Sequence, residues 1–74
     1  MLSTALRSFH SVAQHGGFSA AARVLNISQP TLSTQVKALE TRYDVELFSR
    51  IGRAIQLTPA GTELFRTTLR LMQN

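Results

Sequence analysis

Seventy-four residues make one domain, near the lower size limit for a self-sufficient core. The absence of cysteine excludes disulfides and thiolate metal sites as sources of stability. No apolar run approaches the roughly 20 residues that span a membrane, and residues 1–7 lack a signal-peptide pattern, so we expect a cytoplasmic protein without membrane contact.

The charge of the chain is basic and unevenly distributed. The eight Lys and Arg residues outnumber the four Asp and Glu residues, which gives a net charge of +4. No acid precedes Glu40, so Arg7, Arg23 and Lys37 are unopposed there, and residues 47–62 hold two arginines and no acid. Such segregation is typical of a polyanion-binding face, although charge alone does not distinguish it from a solvated basic surface.

Apolar residues at helical spacing predict a first helix over residues 3–15, which Gly16 ends. Ser19 is the predicted N-cap of a short second helix over residues 20–25. Asn26 follows as a left-handed C-cap and starts a tight turn.

A third helix is predicted over residues 28–42, with Ser28 as its N-cap and Pro30 in its first turn. Its predicted buried stripe consists of Leu32, Val36, Leu39 and Tyr43. Two helices joined by a turn of three or four residues form a helix-turn-helix, in which the second helix reads DNA.

The pattern then changes to two β-compatible segments, 47–50 and 54–57, around a three-residue connection that contains Gly52. We predict a hairpin, or wing, over residues 48–57. Thr58 and Pro59 start a fourth helix that runs to the end of the chain. The predicted fold is mainly α: a winged helix-turn-helix with a three-helix core and a two-stranded β wing (residues 1–58), followed by a linker helix (residues 59–74).

The face of the third helix opposite its buried stripe is polar and almost uncharged, which favours close approach to a DNA groove. Gln29 can present a bidentate amide to adenine. The alternative is that Gln29 and the serines only cap and solvate the helix. The predicted DNA-binding residues of this helix are Ser28, Gln29, Pro30, Thr31, Ser33, Thr34 and Lys37.

Two wing arginines, Arg50 and Arg53, complete the predicted DNA-binding set. One would contact phosphate and the other would enter the minor groove, and Arg53, beside Gly52, is our choice for the groove. Their alternative role is solubility and protection of an exposed strand edge.

Several runs resemble the DNA-binding domain of LysR-type transcriptional regulators: FSAAARVLNISQPTLS over 18–33, LE over 39–40, VELFSR over 45–50 and LTPAG over 57–61. The resemblance covers nearly the whole chain. It implies a dimeric bacterial regulator, often tetrameric, that binds promoter or operator DNA of pseudo-palindromic sequence. It also implies a C-terminal domain of about 200 residues for a small-molecule effector. That domain is missing, so we expect a fragment or a natural truncation. On the family pattern, the residues facing the major groove are Gln29, Pro30, Ser33 and Thr34, and Arg50 and Arg53 serve the wing.

The chain departs from the family pattern at three places. Thr34 replaces a common basic residue, which leaves the base preference open. Tyr43-Asp44 replaces Leu-Gly at the end of the third helix, which predicts a weaker C-cap. Ala54 replaces a second basic residue of the wing, so Arg53 would carry more of that contact.

The fourth helix carries two neighbouring apolar stripes, more than so small a core should need. We predict that it pairs with its counterpart in a second chain to form a homodimer. The alternative is that both stripes pack within one core. The predicted dimerisation residues are Leu64, Phe65, Thr68, Leu69, Leu71 and Met72.

We do not expect an enzyme, because the sequence contains no group of residues typical of a catalytic site. His10 and His15 are off the spacing for shared metal ligation. Glu40 and Asp44 are spaced as a pair, but we expect them to be solvated or ion-paired with Lys37 or Arg42. We therefore predict neither a metal site nor a cofactor. The remaining alternative is a small helical protein-interaction or dimerisation module without sequence-specific DNA binding.

Overall fold

The computed structural model describes residues 2–73 and contains four helices and one two-stranded sheet among them. The elements in chain order are α1 (Thr4–His15), α2 (Phe18–Leu25), α3 (Gln29–Tyr43), β1 (Phe48–Ile51), β2 (Ala54–Leu57) and α4 (Pro59–Met72). The predicted mainly helical, winged fold is confirmed. No helix within residues 2–73 has the length and apolarity that crossing a membrane requires.

The helix starts follow from side-chain capping, with one exception. Ser28 accepts a hydrogen bond from the Thr31 amide at 3.1 Å, and Thr58 accepts one from the Gly61 amide at 3.0 Å, as predicted. The prediction for Ser19 is wrong, because α2 begins at Phe18 and no side chain caps it. The reason is tertiary packing: the Phe18 side chain packs against the core, which draws the helix start toward the glycine pair.

At the C-terminal end of α3, Asp44 is the C-cap, as predicted, but the environment of Tyr43 differs from the prediction. Asp44 adopts the left-handed conformation at φ 53° and closes the helix, and its amide bonds to the Thr41 carbonyl oxygen at 3.3 Å. Tyr43 is 60% exposed, so its predicted burial is wrong. Its ring lies beside the Arg42 guanidinium, 5.4 Å from the ring centroid. The buried stripe of α3 therefore ends at Leu39.

Two apolar clusters form the core. One contains Val12, Ala21, Ala22, Leu32 and Val36, and the other contains Phe9, Leu39 and Leu47. Phe48 packs against both, with its ring centroid 5.4 Å from that of Phe9 and 5.7 Å from that of Phe18. The first residue of the wing is thus anchored in the helical body.

The wing is a tighter hairpin than predicted. Phe48 pairs with Leu57 and Ile51 pairs with Ala54, so only Gly52 and one further residue form the turn. Gly52 has a φ of 61° and the residue after it has a negative φ, a combination that suits a two-residue turn and matches strand twist. The predicted three-residue connection is therefore one residue too long. The predicted start of the first strand, at residue 47, is one residue too early.

Backbone hydrogen bonds fix the wing between α3 and α4. The Leu47 amide donates to Oε2 of Glu40 at 2.7 Å, and the Leu47 carbonyl oxygen accepts from the Thr58 amide at 3.0 Å. The expectation that Glu40 is solvated or ion-paired is wrong, since the part-buried amide of Leu47 needs an acceptor and this carboxylate supplies it. Glu40 therefore positions the wing.

Helix α4 packs on α1 through a buried polar contact. Nδ1 of His10 lies 2.7 Å from the Thr68 hydroxyl oxygen, and that hydroxyl donates to the Phe65 carbonyl oxygen at 3.1 Å. Thr68 is 1% exposed within its own chain, which speaks against its predicted place at a dimer interface. Leu64 and Phe65 pack against the Phe9 cluster.

We expect the chain to lose stability in mild acid through His10. Burial, together with the charge of His15, lowers the pKa of His10 from its usual 6.5. The unfolded chain then takes up a proton at a higher pH than the folded chain. The contribution of His10 to the free energy of unfolding is fully present above pH 6.5. It declines as the pH falls from 6.5 through the pKa of His10 in the folded chain.

Urea unfolding between about pH 5 and 8 checks this expectation. His10→Gln should flatten the decline below pH 6.5 whatever its effect on the stability plateau, whereas the exposed His15→Gln should keep a decline. An unchanged slope in His10→Gln would assign the acid sensitivity to other groups.

Candidate nucleic-acid interface

The helix-turn-helix is formed by α2 and α3, which are joined by residues 26–28. Asn26 adopts the predicted left-handed conformation at φ 58°, and the Ile27 amide donates to the Ala22 carbonyl oxygen at 3.1 Å. Ile27 packs against the core and so ties the turn to the helical body. The turn therefore holds the start of α3 at a fixed position beside α2.

All nine predicted DNA-binding residues are exposed, while α3 buries Leu32, Val36 and Leu39 on its other side. Ser28 and Thr31 serve the helix start, because the Ser28 hydroxyl accepts from the Thr31 amide and lies 2.9 Å from the Thr31 hydroxyl. Their hydroxyls are therefore partly committed within the chain.

The two wing arginines occupy different positions on the hairpin. Arg50 pairs across the sheet with the half-buried Ile55, so both side chains belong to the face turned toward the helices. Arg53 lies at the turn, next to Gly52. The structure thus separates an arginine beside the helical body from one at the tip.

Two grooves connect the wing to the helices. One lies between α3 and the wing, and its lining includes Ser33, Lys37 and Arg50. The other lies between the start of α2 and the wing, and its polar lining residues are His15, Ser19, Arg23, Gln29, Arg50 and Arg53. Within residues 2–73, the cations of these grooves form no salt bridge. This surface has the charge that a polyanion requires.

Two residues of this surface, Ser19 and Arg23, are absent from the predicted site. Ser19 donates a hydrogen bond to Oε1 of Gln29 at 3.0 Å, across the helix-turn-helix. Arg23 lies one turn further along α2 and lines the same groove. The signal that could have found both is their four-residue spacing, which places them on one helix face.

Comparisons with known proteins agree with this geometry. The family described as bacterial regulatory helix-turn-helix protein, lysR family, matches residues 3–62. The AhcY transcriptional activator HvrB of Rhodobacter capsulatus is 52% identical over 58 residues, which are 78% of this chain and 20% of that protein.

Solved structures of similar sequence have the same fold. The BenM DNA-binding domain in complex with catB site 1 DNA has a TM-score of 0.91 at 34% identity, over all of this chain and 82% of that chain. The CbnR DNA-binding domain in complex with DNA has a TM-score of 0.86 at 37% identity, over 99% of this chain and 84% of that chain.

The chain spans about a fifth of the length of HvrB and of two other curated relatives that it matches, and all three are transcriptional regulators rather than enzymes. The family match covers more than half of the chain and contains α1, the helix-turn-helix, the wing and the start of α4. The chain belongs to the lysR family of bacterial regulatory helix-turn-helix proteins.

Proposed function

We propose that this chain binds specific sequences of double-stranded DNA as the N-terminal domain of a LysR-type transcription regulator, with α3 in the major groove and the wing toward the minor groove. The observation that carries the proposal is an exposed face of hydroxyl and amide side chains on α3, flanked by arginines of α2 and the wing. The DNA complexes of BenM and CbnR support it.

The uncharged polar side chains and the cationic side chains of this surface have different proposed roles in binding. Gln29, Ser33 and Thr34 would contact base edges, since their short polar side chains suit close approach. Lys37 and Arg50 would contact phosphates, which supply affinity without sequence information. Arg53, at the wing tip, would enter the minor groove.

We further propose that α4 joins two copies of the chain. Leu71 and Met72 are exposed by 63% and 49%, and the half-buried Leu69 precedes them on the same helix. Exposed apolar residues of this size favour an interface over solvent. The boundary between the DNA-binding unit and the linker helix would then lie at residues 58–59.

The wider setting of the chain is proposed from its relatives, which are about four times as long. In such a protein, a region outside this chain would bind the small-molecule effector, and dimers would pair as tetramers. We propose that the protein acts in the cytoplasm, where bacterial promoter DNA lies.

Selection of bound duplexes from random DNA tests the function. We expect a recurrent motif with two symmetry-related half-sites. A dimer with two-fold symmetry binds the two halves of a pseudo-palindrome, whose centres lie about one helical turn apart. The affinity should fall steeply with salt, since bound cations release counterions. Weak, salt-insensitive binding without a motif would instead favour the protein-interaction module.

Arg53→Ala tests whether the wing contacts DNA, and a second arginine-to-alanine variant is its control. We expect it to weaken binding to preferred and unrelated duplexes by a similar factor. It should also reduce the salt slope by roughly 0.9, because the positive charge of an arginine in the minor groove neutralises about one phosphate charge. Arg7→Ala, at an exposed position of α1, makes the same charge change at a residue that lines neither groove and should alter binding less. A loss confined to the preferred sequence would mean that Arg53 reads bases instead.

A further inference from the structure

Ser19 and Gln29 make a side-chain contact that the predicted helix boundaries did not anticipate. The Ser19 hydroxyl is 3.0 Å from Oε1 of Gln29, and both residues are exposed. Because α2 starts earlier than predicted, Ser19 lies inside the helix and caps nothing, which leaves its hydroxyl available for this contact. Phe18, anchored in the core, fixes the position from which Ser19 reaches α3.

The contact determines which end of the Gln29 amide is presented outward. An unrestrained glutamine can offer its carbonyl oxygen and its NH₂ group in either order, whereas here the carbonyl oxygen is engaged by Ser19. The same groove contains Arg23, Arg50 and Arg53, whose positive field also favours the carbonyl end of the amide dipole. The two hydrogens of Nε2 then face away from α2.

We propose that Ser19 is a positioning residue for base recognition: it holds Gln29 with its NH₂ donors outward, so that Gln29 selects a base whose own major-groove edge offers two acceptors. Guanine offers N7 and O6 together, which makes it the best partner for two donors, whereas cytosine offers only a donor and would be rejected. The inference rests on the proposed function, since it concerns how the same surface reads DNA.

A set of four variants of the chain tests the role of Ser19. Gln29→Ala first identifies the base pair that depends on Gln29, in duplexes carrying each of the four pairs at each position of the selected motif. At that pair, Ser19→Ala should reduce the preference by about three- to tenfold, the usual value of one neutral hydrogen bond, and leave the other positions unchanged. Ser19→Thr, which keeps the hydroxyl, should restore it.

The double variant distinguishes positioning from direct DNA contact. If Ser19 acts through Gln29, Ser19→Ala combined with Gln29→Ala should discriminate no less than Gln29→Ala alone. Ser19→Ala should also keep the thermal unfolding midpoint, because residue 19 is exposed.

Three outcomes would overturn the proposal. If Ser19→Ala discriminates among base pairs as the wild type does, Ser19 does not position Gln29, and the proposed function is unaffected. Equal weakening on every duplex, additive with Gln29→Ala, would make Ser19 a phosphate ligand. A wild-type chain that prefers no sequence would refute the proposed function, and the role of Ser19 with it.

Discussion

Gly61→Ala should cost the chain about 3 kcal/mol of folding free energy, at the upper end of what overpacking normally costs. A Cβ at residue 61 would lie 2.1 Å from the Leu47 carbonyl oxygen and 3.0 Å from the Leu57 side chain. The obstacle is backbone that cannot rotate away, because the same carbonyl oxygen accepts from the Thr58 amide. The helix α4 and the start of the wing would have to separate.

Urea denaturation measures this loss, with Gly17→Ala as the control. Gly17 has no heavy atom within 4 Å of its Cβ position and an extended φ of 176°, so alanine should change the stability by less than about 1 kcal/mol. If both variants lose the same stability, the close approach of residue 61 to Leu47 is not the cause.

The close contact at Gly61 illustrates what the sequence could not supply. The helices, the caps of α3 and α4 and the exposed recognition face could be predicted, because each depends on residues within about one or two turns of the chain. That Leu47 lies against α4, and that Glu40 accepts from its amide, depends on how the wing docks on the helices. Local patterns do not contain that information.

The errors have the same physical origin. Ser19 is a suitable N-cap by residue type, but the packing of Phe18 moves the helix start. Tyr43 continues the apolar stripe of α3, yet the ring is exposed beyond the core, and Thr68 continues a stripe of α4 yet is buried against His10. Tertiary packing determined the environment of all three residues. It adds Ser19 to the candidate DNA-binding surface and speaks against Thr68 at the dimer interface.

Ser33→Glu should weaken binding to the selected DNA at least about 100-fold, because a carboxylate on the reading face meets phosphates and base acceptors, and such like-charge contacts cost several kcal/mol. Ser33 is exposed on α3 and shares a groove with Lys37 and Arg50. A glutamate there is four residues before Lys37, the spacing that favours an ion pair on a helix. The new carboxylate would therefore draw a phosphate-binding cation away from DNA while leaving α3 stable.

Thr4→Glu is the control with the same change in net charge. Thr4 is exposed in the first turn of α1, and its neighbours Ser3 and Ala5 line a groove shared with α4 and the end of α3. None of the nine predicted DNA-binding residues lines that groove. A carboxylate at this helix start is favourable to the helix dipole and should reduce DNA affinity by less than about threefold at 0.15 M salt, where the Debye length is about 8 Å. Equal losses in both variants would mean that net charge alone governs binding. If Ser33→Glu binds as the wild type does, the exposed face of α3 does not contact DNA, and a protein-interaction module becomes the better account of this surface.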